Sequence, residues 1–293
     1  MEYNGVLNVY KPMGYTSRDV VNIVRKIYST KKVGHAGTLD PNATGVLPVC
    51  IGKATRLVDY IQSMGKSYVG EMTLGVSTDT LDIWGNIVNS CDVKFDYNKF
   101  KESVNNINGK KIFQIPPMYS ALKKDGKKLY EYAREGIEIE REKREVEIYS
   151  LKVINFFDNK IRLKVSCSKG TYIRVLFEDL AKSVGSLSYM SSLCRDSYGI
   201  FSIKDSVSLN RLKNFNDKEL FDTLIKIEDI YEYDSINFDM KYFKHISNGL
   251  RKSFCIDKTG IFKIYCGNIF IGIGELVSDG NEKILKMKNI FLG

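Results

Sequence analysis

The sequence contains few of the residues that metal ions and nucleotide cofactors require. It has two histidines, His35 and His245, and its six cysteines include no Cys-x-x-Cys pair. Six cysteines in 293 residues are too sparse for a scaffold held together by disulfides. A zinc site would have to be assembled from scattered residues, and the sequence has neither a Gly-x-x-x-x-Gly-Lys-Ser/Thr run nor a Gly-x-Gly-x-x-Gly run after a strand. We therefore expect chemistry by ordinary side chains, with no metal and no cofactor.

Long apolar runs are also missing from the sequence. No run reaches the roughly 18 residues that a membrane-spanning helix needs. The first residues, MEYNG, lack the basic segment and the following apolar segment of a secretory signal. We expect a protein of the cytoplasm that does not interact with membranes.

Basic charge, by contrast, is plentiful. The sequence has 44 lysines and arginines against 35 aspartates and glutamates, a formal net charge of +9, and 43% hydrophobic residues. That hydrophobic fraction can fill a core, which excludes global disorder. At about 150 residues per domain, the length suggests about two domains. A positive field of this size favours a polyanion such as nucleic acid, although many proteins of other functions are also basic.

The periodicity of apolar residues predicts both helices and strands. Thr16 and Asp19 form a variant of the capping box ahead of an amphipathic pattern, which predicts a helix over 17–29. Further helices are predicted over 96–108 and 126–135, and from Ile173 to a glycine stop at Gly185. Alternation predicts strands over 161–167 and 67–76. Strand runs and helix runs without strict alternation predict an α+β fold with a mixed, largely antiparallel sheet.

From about residue 232 the pattern changes to short β-like runs. The runs 261–266 and 269–273 are joined by Gly267 and Asn268, a dipeptide typical of hairpin turns. We therefore predict two domains, 1–231 and a small all-β domain over 232–293.

Asp40 is the first candidate for chemistry. It lies in a loop rich in glycine, threonine and proline, over residues 33–50. A carboxylate held in such a shaped loop can act as a nucleophile or a base. The alternative is an aspartate that caps a turn before a proline. His35, five residues earlier, could share a pocket with Asp40, or it could be a hydrogen-bonded loop imidazole.

Other candidates lie near strand ends. Arg174 and Tyr172 follow a predicted strand–turn–helix junction, where an arginine can pair with a carboxylate and orient it, or contact phosphate. Tyr68 opens a predicted strand. It is a candidate site residue, or it could be an aromatic side chain of the core. The run KKDGKKLYEY, residues 123–132, combines charge with aromatic rings, which suits RNA, although a solvated lysine-rich loop would look the same.

Five blocks of the sequence resemble the motifs of a known family. The run GHAGTLDPNATGVLP, residues 34–48, resembles the signature loop of the TruB-type tRNA pseudouridine-55 synthases. Four further blocks resemble motifs of that family, in the family's order: YKPMGYTS at 10–17, GVSTDTLDIWG at 75–85, PPMYSALK at 116–123 and SKGTYIR at 168–174. The resemblance extends over residues 5–200, and five ordered blocks make chance similarity implausible.

The resemblance implies a pseudouridine-synthase fold and a small PUA-like β-domain at the C-terminus. It implies that uridine 55 in the T stem-loop of tRNA is flipped out and isomerised to pseudouridine without a cofactor, and that tRNA folding is assisted. It also implies a stand-alone monomer without an obligate protein partner. Carried over by position, the resemblance makes Asp40 the nucleophile and Arg174 the partner of that aspartate. It implies that Lys11 supports the loop. The residues that it implies contact the target uridine are His35, Tyr68, Tyr172 and Leu193.

The sequence departs from the family's pattern at one position, and several alternative functions stay open. The family often has arginine where this chain has Cys194, which puts one phosphate contact in doubt. The resemblance leaves open whether Asp40 attacks C6 of the base or the ribose. An RNA-guided relative is disfavoured by the absence of long extensions, and a non-catalytic RNA chaperone by the presence of Asp40 and Arg174. A glycoside hydrolase would need a second carboxylate in the cleft, from Asp79 or Asp82.

Overall fold

The computed structural model describes residues 2–93, 95–254, 256–280 and 282–292. In chain order the strands are β1 (Gly5–Lys11), β2 (Val33–His35), β3 (Thr44–Ile51), β4 (Lys66–Leu74), β5 (Val76–Thr78), β6 (Ile87–Ser90), β7 (Lys110–Gln114), β8 (Lys123–Lys124), β9 (Lys127–Lys128), β10 (Arg144–Phe157), β11 (Lys160–Cys167), β12 (Ser188–Tyr198), β13 (Phe201–Ser202), β14 (Val207–Ser208), β15 (Ser235–Phe238), β16 (Lys252–Phe254), β17 (Gly260–Cys266), β18 (Ile269–Asp279) and β19 (Glu282–Ile290).

Short helices connect and cover these strands. They are α1 (Ser17–Ile27), α2 (Val58–Ser63), α3 (Tyr97–Ile107), α4 (Leu129–Arg134), α5 (Ile173–Ser183), α6 (Leu209–Leu212), α7 (Asp217–Asp222), α8 (Ile227–Ile230) and α9 (Phe243–Ser247), with 3-10 turns at Gly52–Leu57, Ile203–Asp205 and Met240–Tyr242. Within the described ranges, no helix is long and apolar enough to cross a membrane.

A ten-stranded mixed sheet forms the larger part of the molecule. Its order is β14-β1-β3-β12-β4-β11-β10-β7, with β13 paired to β12 and β2 paired to β3. The pairs β1–β14 and β3–β12 are parallel, and the other pairs are antiparallel. The predicted α+β class and mixed, largely antiparallel sheet are confirmed.

The apolar residues of strand β3 follow one another without alternation because both faces of the strand are covered. Leu47, Val49 and Ile51 pack with α1, whereas Val46 and Cys50 pack on the opposite face with the turn after β3. Since side chains alternate across a strand, a strand covered on both faces needs apolar residues at every position. The strand that follows the signature loop is therefore fixed in the centre of the fold.

A second, five-stranded sheet occupies the C-terminal part, in the order β15-β17-β18-β19-β16. Cys266 pairs with Ile269, so Gly267 and Asn268 form the predicted hairpin turn. This sheet has its own apolar core, which includes Ile264, Ile271 and Leu276. A separate β-sheet unit at the C-terminus is confirmed, although it is not all-β because it includes α9, and the boundary between residues 231 and 232 stays a prediction.

The two sheets share a packed seam. Ile273 and Phe291 of the C-terminal part belong to the same buried cluster as Val6 and Tyr231. The rings of Tyr231 and Phe291 are 6.4 Å apart, centroid to centroid. Removing 232–293 would therefore expose apolar surface on the first part as well as removing the second.

The predicted elements are found with shifted ends. The predicted helix 17–29 ends at Ile27, and Thr16 and Asp19 form the predicted capping box. The predicted helix 126–135 is wrong over its first three residues, because positive φ at Asp125 and Gly126 turns the chain into the β8–β9 hairpin. The predicted strand 67–76 ends at Leu74, because Gly75 has a φ of +91°.

Candidate active site

The signature loop crosses from β2 to β3 and carries Asp40 near its middle. The amide of Ala43 donates to the carbonyl of Asp40 at 3.0 Å, which closes a turn around Pro41. The Asp40 side chain is 36% exposed, so the carboxylate faces solvent while its backbone is held in a turn. Such a carboxylate is accessible to a substrate.

Arg174 is the side chain that holds this carboxylate. Its Nε lies 3.1 Å from Asp40 Oδ2, and only 6% of the arginine side chain is exposed. Its two terminal nitrogens donate to the carbonyls of Thr80 and Tyr119, each at 2.8 Å. One planar guanidinium thus joins the signature loop to two of the other motif blocks, and its geometry fixes the direction from which it meets Asp40.

Arg195 holds the same loop from within the sheet, and the sequence analysis missed it. Its Nε donates to the carbonyl of Val46 at 2.7 Å, and its terminal nitrogens donate to Gly37 and Thr38 at 3.2 and 3.5 Å. The side chain is 1% exposed, and its guanidinium lies over the ring of Tyr198. A buried arginine that donates to three carbonyls of the signature loop is a structural clamp, which the charged run Arg195-Asp196 did not reveal in the sequence.

Lys11 supports the loop from the end of β1. Its Nζ donates to the carbonyls of Pro12, Tyr15 and Pro41 at 2.9, 2.7 and 3.3 Å. Burial lowers the pKa of Lys11 to about 8, against the opposing pull of the Asp40 charge. The lysine therefore ties the N-terminal block to Pro41, the residue next to Asp40.

Ser17 adds a second tie that the sequence analysis did not single out. Its Oγ donates to the carbonyl of Leu39 at 3.2 Å and accepts from the amide of Leu39 at 2.9 Å. The first residue of α1 therefore fixes the residue just before Asp40. The only sequence signal was its place in the block YKPMGYTS.

Tyr68 and Leu193 lie on neighbouring strands beside the loop. Across the β4–β12 pair, Tyr68 faces Arg195 and Leu193 faces Gly70. Both side chains belong to the buried cluster that includes Leu39 and Ala43 of the signature loop. Burial raises the pKa of Tyr68, with the nearby Arg195 charge opposing the shift. The tyrosine hydroxyl is therefore neutral, and the two side chains form an apolar wall next to the loop.

Tyr172 immediately precedes α5, and His35 is the last residue of β2. The amide of Tyr172 donates to Gln114 Oε1 at 3.0 Å, and its carbonyl accepts from Gln114 Nε2 at 3.3 Å. The buried Gln114, which had no sequence signal, thus fixes the start of α5 and with it Arg174. His35 ends β2, where burial and the Arg195 charge lower its pKa and favour the neutral imidazole.

The aspartates of the block at 75–85 do not act as a second free carboxylate. Asp82 is buried and accepts from Thr80 Oγ1 at 2.7 Å and from the Trp84 amide at 3.0 Å. Asp79 accepts from the Asn86 amide at 2.9 Å. Both carboxylates cap their own loop, which disfavours the glycoside hydrolase alternative. Among the described residues no group of three or more His, Cys, Asp and Glu side chains could hold a metal ion.

Cys194 lies between Leu193 and the buried Arg195 on β12, where its neighbours are Thr44 on β3 and Val69 on β4. Its side chain is partly exposed. The expected loss of a phosphate contact at Cys194 stays a prediction.

The mixed sheet, the loop aspartate bound by an arginine and the separate C-terminal β-domain together define the class of the pseudouridine synthases. The fold is similar to that of the protein chain in a crystal structure titled a Cbf5-Nop10-Gar1 complex. The TM-score is 0.75 at 24% identity, covering 98% of this chain and 85% of that chain. A likeness at this identity concerns the fold alone.

Sequence comparisons define the family. The family described as TruB family pseudouridylate synthase (N terminal domain) matches residues 25–173. A protein of Clostridium acetobutylicum named tRNA pseudouridine synthase B is 42% identical, covering 97% of this chain and 99% of the relative. A protein of the same name from Caldanaerobacter subterraneus subsp. tengcongensis is 43% identical, covering 99% and 100%. The chain belongs to the TruB family of pseudouridylate synthases, and it is an isomerase.

Proposed function

We propose that this protein isomerises uridine 55 in the T arm of tRNA, with Asp40 as the nucleophile. The relatives named tRNA pseudouridine synthase B match nearly the whole chain, which supports tRNA as the substrate. The net charge of +9 supports a polyanionic partner. The observation that carries the assignment of Asp40 is its ion pair with Arg174, at 3.1 Å.

The reaction needs an anionic nucleophile and no cofactor. The N1–C1′ bond of the uridine breaks, the base turns, and a C5–C1′ bond forms. C5 then loses its proton and N1 takes one up, so no atom is gained or lost overall. The Asp40 carboxylate starts this sequence by adding to C6 of the base or to C1′ of the ribose, and that bond breaks again before the product leaves. Arg174 acts as a positioning residue, because its other donors are occupied by Thr80 and Tyr119 and leave Nε directed at Asp40.

The target base must leave the folded RNA to meet Asp40. Flipping a base out of its stack costs a few kcal/mol. The wall formed by Tyr68 and Leu193 offsets part of that cost by covering the faces of the flipped uracil. We propose that His35, which belongs to the signature loop, and Tyr172, whose hydroxyl feels the Asp40 charge, also contact the uridine.

Tyr68 is also proposed to assist removal of the C5 proton. Burial raises the pKa of its hydroxyl. A neutral phenol can take up the C5 proton only while it passes its own proton on. Overall the proton lost by C5 is balanced by the proton taken up at N1, so Tyr68 is unchanged at the end of the reaction.

Position-resolved mapping tests this function. Unmodified tRNA is incubated with the protein, and pseudouridine is mapped at every uridine. We expect conversion at position 55, and no conversion in a control tRNA in which that uridine is replaced by cytidine. Conversion confined to other positions would contradict the proposal. A monomeric state, independence from protein partners and a cytoplasmic location stay predictions of the sequence.

A further inference from the structure

Trp84, the only tryptophan of the chain, is exposed four residues after Thr80, whose carbonyl binds Arg174. Its side chain is 56% exposed, and Ile83 beside it is 50% exposed. Ile87 and Val88, on the following strand β6, are also exposed. Four exposed apolar side chains within six residues exceed the scattered single ones that need no explanation, so they mark a candidate binding site. The mechanism above makes no use of it.

The loop that carries Trp84 is rigid. Asp82 accepts from the Trp84 amide at 3.0 Å, and Thr78 Oγ1 donates to the Asp82 carbonyl at 2.7 Å. The amide of Ile83 donates to Met190 on β12 at 3.0 Å. A Cβ at Gly85 would overlap Thr80 Oγ1, so the glycine lets the loop pack closely against itself. Trp84 is therefore presented from a fixed backbone, which lowers the entropy lost when it binds a ligand.

The backbone conformation of Leu81 indicates that this loop has a functional role. Its φ is +61°, in the left-handed region that branched side chains rarely adopt. Its backbone is held there by hydrogen bonds to Thr78 and Met190. Backbone strain that the surrounding structure holds in place tends to cluster at functional sites.

The loop is joined directly to the Asp40–Arg174 pair. The Thr80 carbonyl accepts from the Arg174 guanidinium at 2.8 Å. Trp84 follows Thr80 by four residues, so their Cα atoms are at most about 14 Å apart. Because Thr80 contacts Arg174 and Arg174 contacts Asp40, Trp84 lies within reach of an RNA whose uridine is bound at Asp40.

We propose that Trp84 stacks on a nucleobase of the substrate RNA that flanks the target uridine. Tryptophan offers the largest aromatic face of any side chain, and every nucleobase has a face that can stack on it. The stacked base would hold the distorted RNA while the uridine is flipped. This inference rests on the proposed function, and it adds a contact outside the uridine pocket.

Because the chain has a single tryptophan, its fluorescence reports on Trp84 alone. The wild-type protein is titrated with an unmodified T stem-loop RNA, and the initial binding phase is followed. We expect strong quenching that saturates with binding and disappears at high salt, where the RNA dissociates. Unchanged fluorescence on an RNA that binds and is converted would overturn the inference and leave the proposed function standing.

Variants provide a second readout. Trp84→Leu should raise the RNA concentration at half-maximal single-turnover rate by about 5- to 150-fold, with the saturated rate unchanged. Trp84→Phe, which keeps an aromatic face, should restore most of the affinity. Phe221→Leu is the matched control, because Phe221 is also a half-exposed aromatic but lies on α7, away from the loop.

RNA missing one flanking base locates the contact. If Trp84 stacks on that base, the base-deleted RNA should bind wild type and Trp84→Leu equally. A Trp84→Leu enzyme with wild-type RNA dependence would refute the stacking role. Absence of pseudouridine with the wild-type protein would instead refute the proposed function, and with it this inference. If Trp84→Leu does not fold, the fluorescence titration still decides.

Discussion

Replacing Arg174 is the perturbation that most directly probes how the site is built. The guanidinium meets Asp40, Thr80 and Tyr119 through different nitrogens. Arg174→Met removes all three interactions. Arg174→Lys keeps the charge but offers one nitrogen, which cannot reach three acceptors arranged around a planar fork.

The expected magnitude follows from burial. A buried carbonyl left without its donor costs about 1–3 kcal/mol, and here two carbonyls lose theirs. Asp40 is 36% exposed, so water compensates for much of its lost ion pair. We expect Arg174→Met to lower the free energy of unfolding by about 2–5 kcal/mol, and Arg174→Lys by less. A displacement of Asp40 by about 1 Å would slow the chemical step by about 100-fold in either variant.

Two measurements on the same variants test this prediction. Urea denaturation gives the stability, and release of tritium from C5 of the target uridine under single-turnover conditions gives the rate. The control is Lys182→Met, which removes an exposed ion pair with Glu178 on the same helix, α5, and should cost at most about 0.5 kcal/mol without slowing the reaction. A wild-type rate in Arg174→Lys, or a stability loss in Arg174→Met no larger than that of the control, would refute the reasoning.

Three further predictions follow from the structure. Tyr68→Phe should keep its RNA affinity but slow the single-turnover rate by about 100- to 10,000-fold if the hydroxyl assists proton transfer; a near-normal rate would reduce Tyr68 to a packing surface. Gly45→Ala should lower the free energy of unfolding by at least about 2 kcal/mol, because Gly45 has a φ of +104° and its new Cβ would overlap the carbonyl oxygen of Arg195. Gly136→Ala, with a φ of +72° but open space around it, should cost only about 1–2 kcal/mol in the same urea experiment, and equal losses would exclude the overlap as the cause. Burial penalises the charged form of Lys11 and lowers its pKa from 10.5 to about 8. The contribution of Lys11 to the free energy of unfolding is therefore full above pH 10.5 and is lost as the pH falls through about 8. Wild-type stability relative to Lys11→Met should rise by about 2 kcal/mol from pH 8 to pH 10, and a flat difference would contradict this.

The elements that local chemistry determines could be predicted from the sequence. The capping box at Thr16 and Asp19, the turn at Gly267 and Asn268 and the glycine stop after α5 each depend on residues close together in the chain. The ion pair between Asp40 and Arg174 was also expected, although from the resemblance to a family and not from spacing. Their roles in the reaction stay predictions.

The contacts that could not be predicted from the sequence depend on the order of the strands in the sheet. Arg195 is buried because β12 lies between β3 and β4, and this order places its guanidinium below the carbonyls of the signature loop. In the sequence, an arginine next to an aspartate is typical of a surface strand. Gln114 is similar, since its contact with Tyr172 joins residues 58 positions apart. Such clamps become visible only when the sheet is assembled.

The most direct test of the central claim is the activity of Asp40→Asn on unmodified tRNA. Asparagine keeps the shape of the side chain and loses its charge, so the loop and its clamps should remain in place. We expect the variant to bind tRNA with near wild-type affinity, because that affinity comes mainly from lysine and arginine contacts to phosphate. We also expect that no pseudouridine is formed at position 55. Substantial conversion at that position by a homogeneous preparation of the variant would contradict the assignment of Asp40 as the nucleophile.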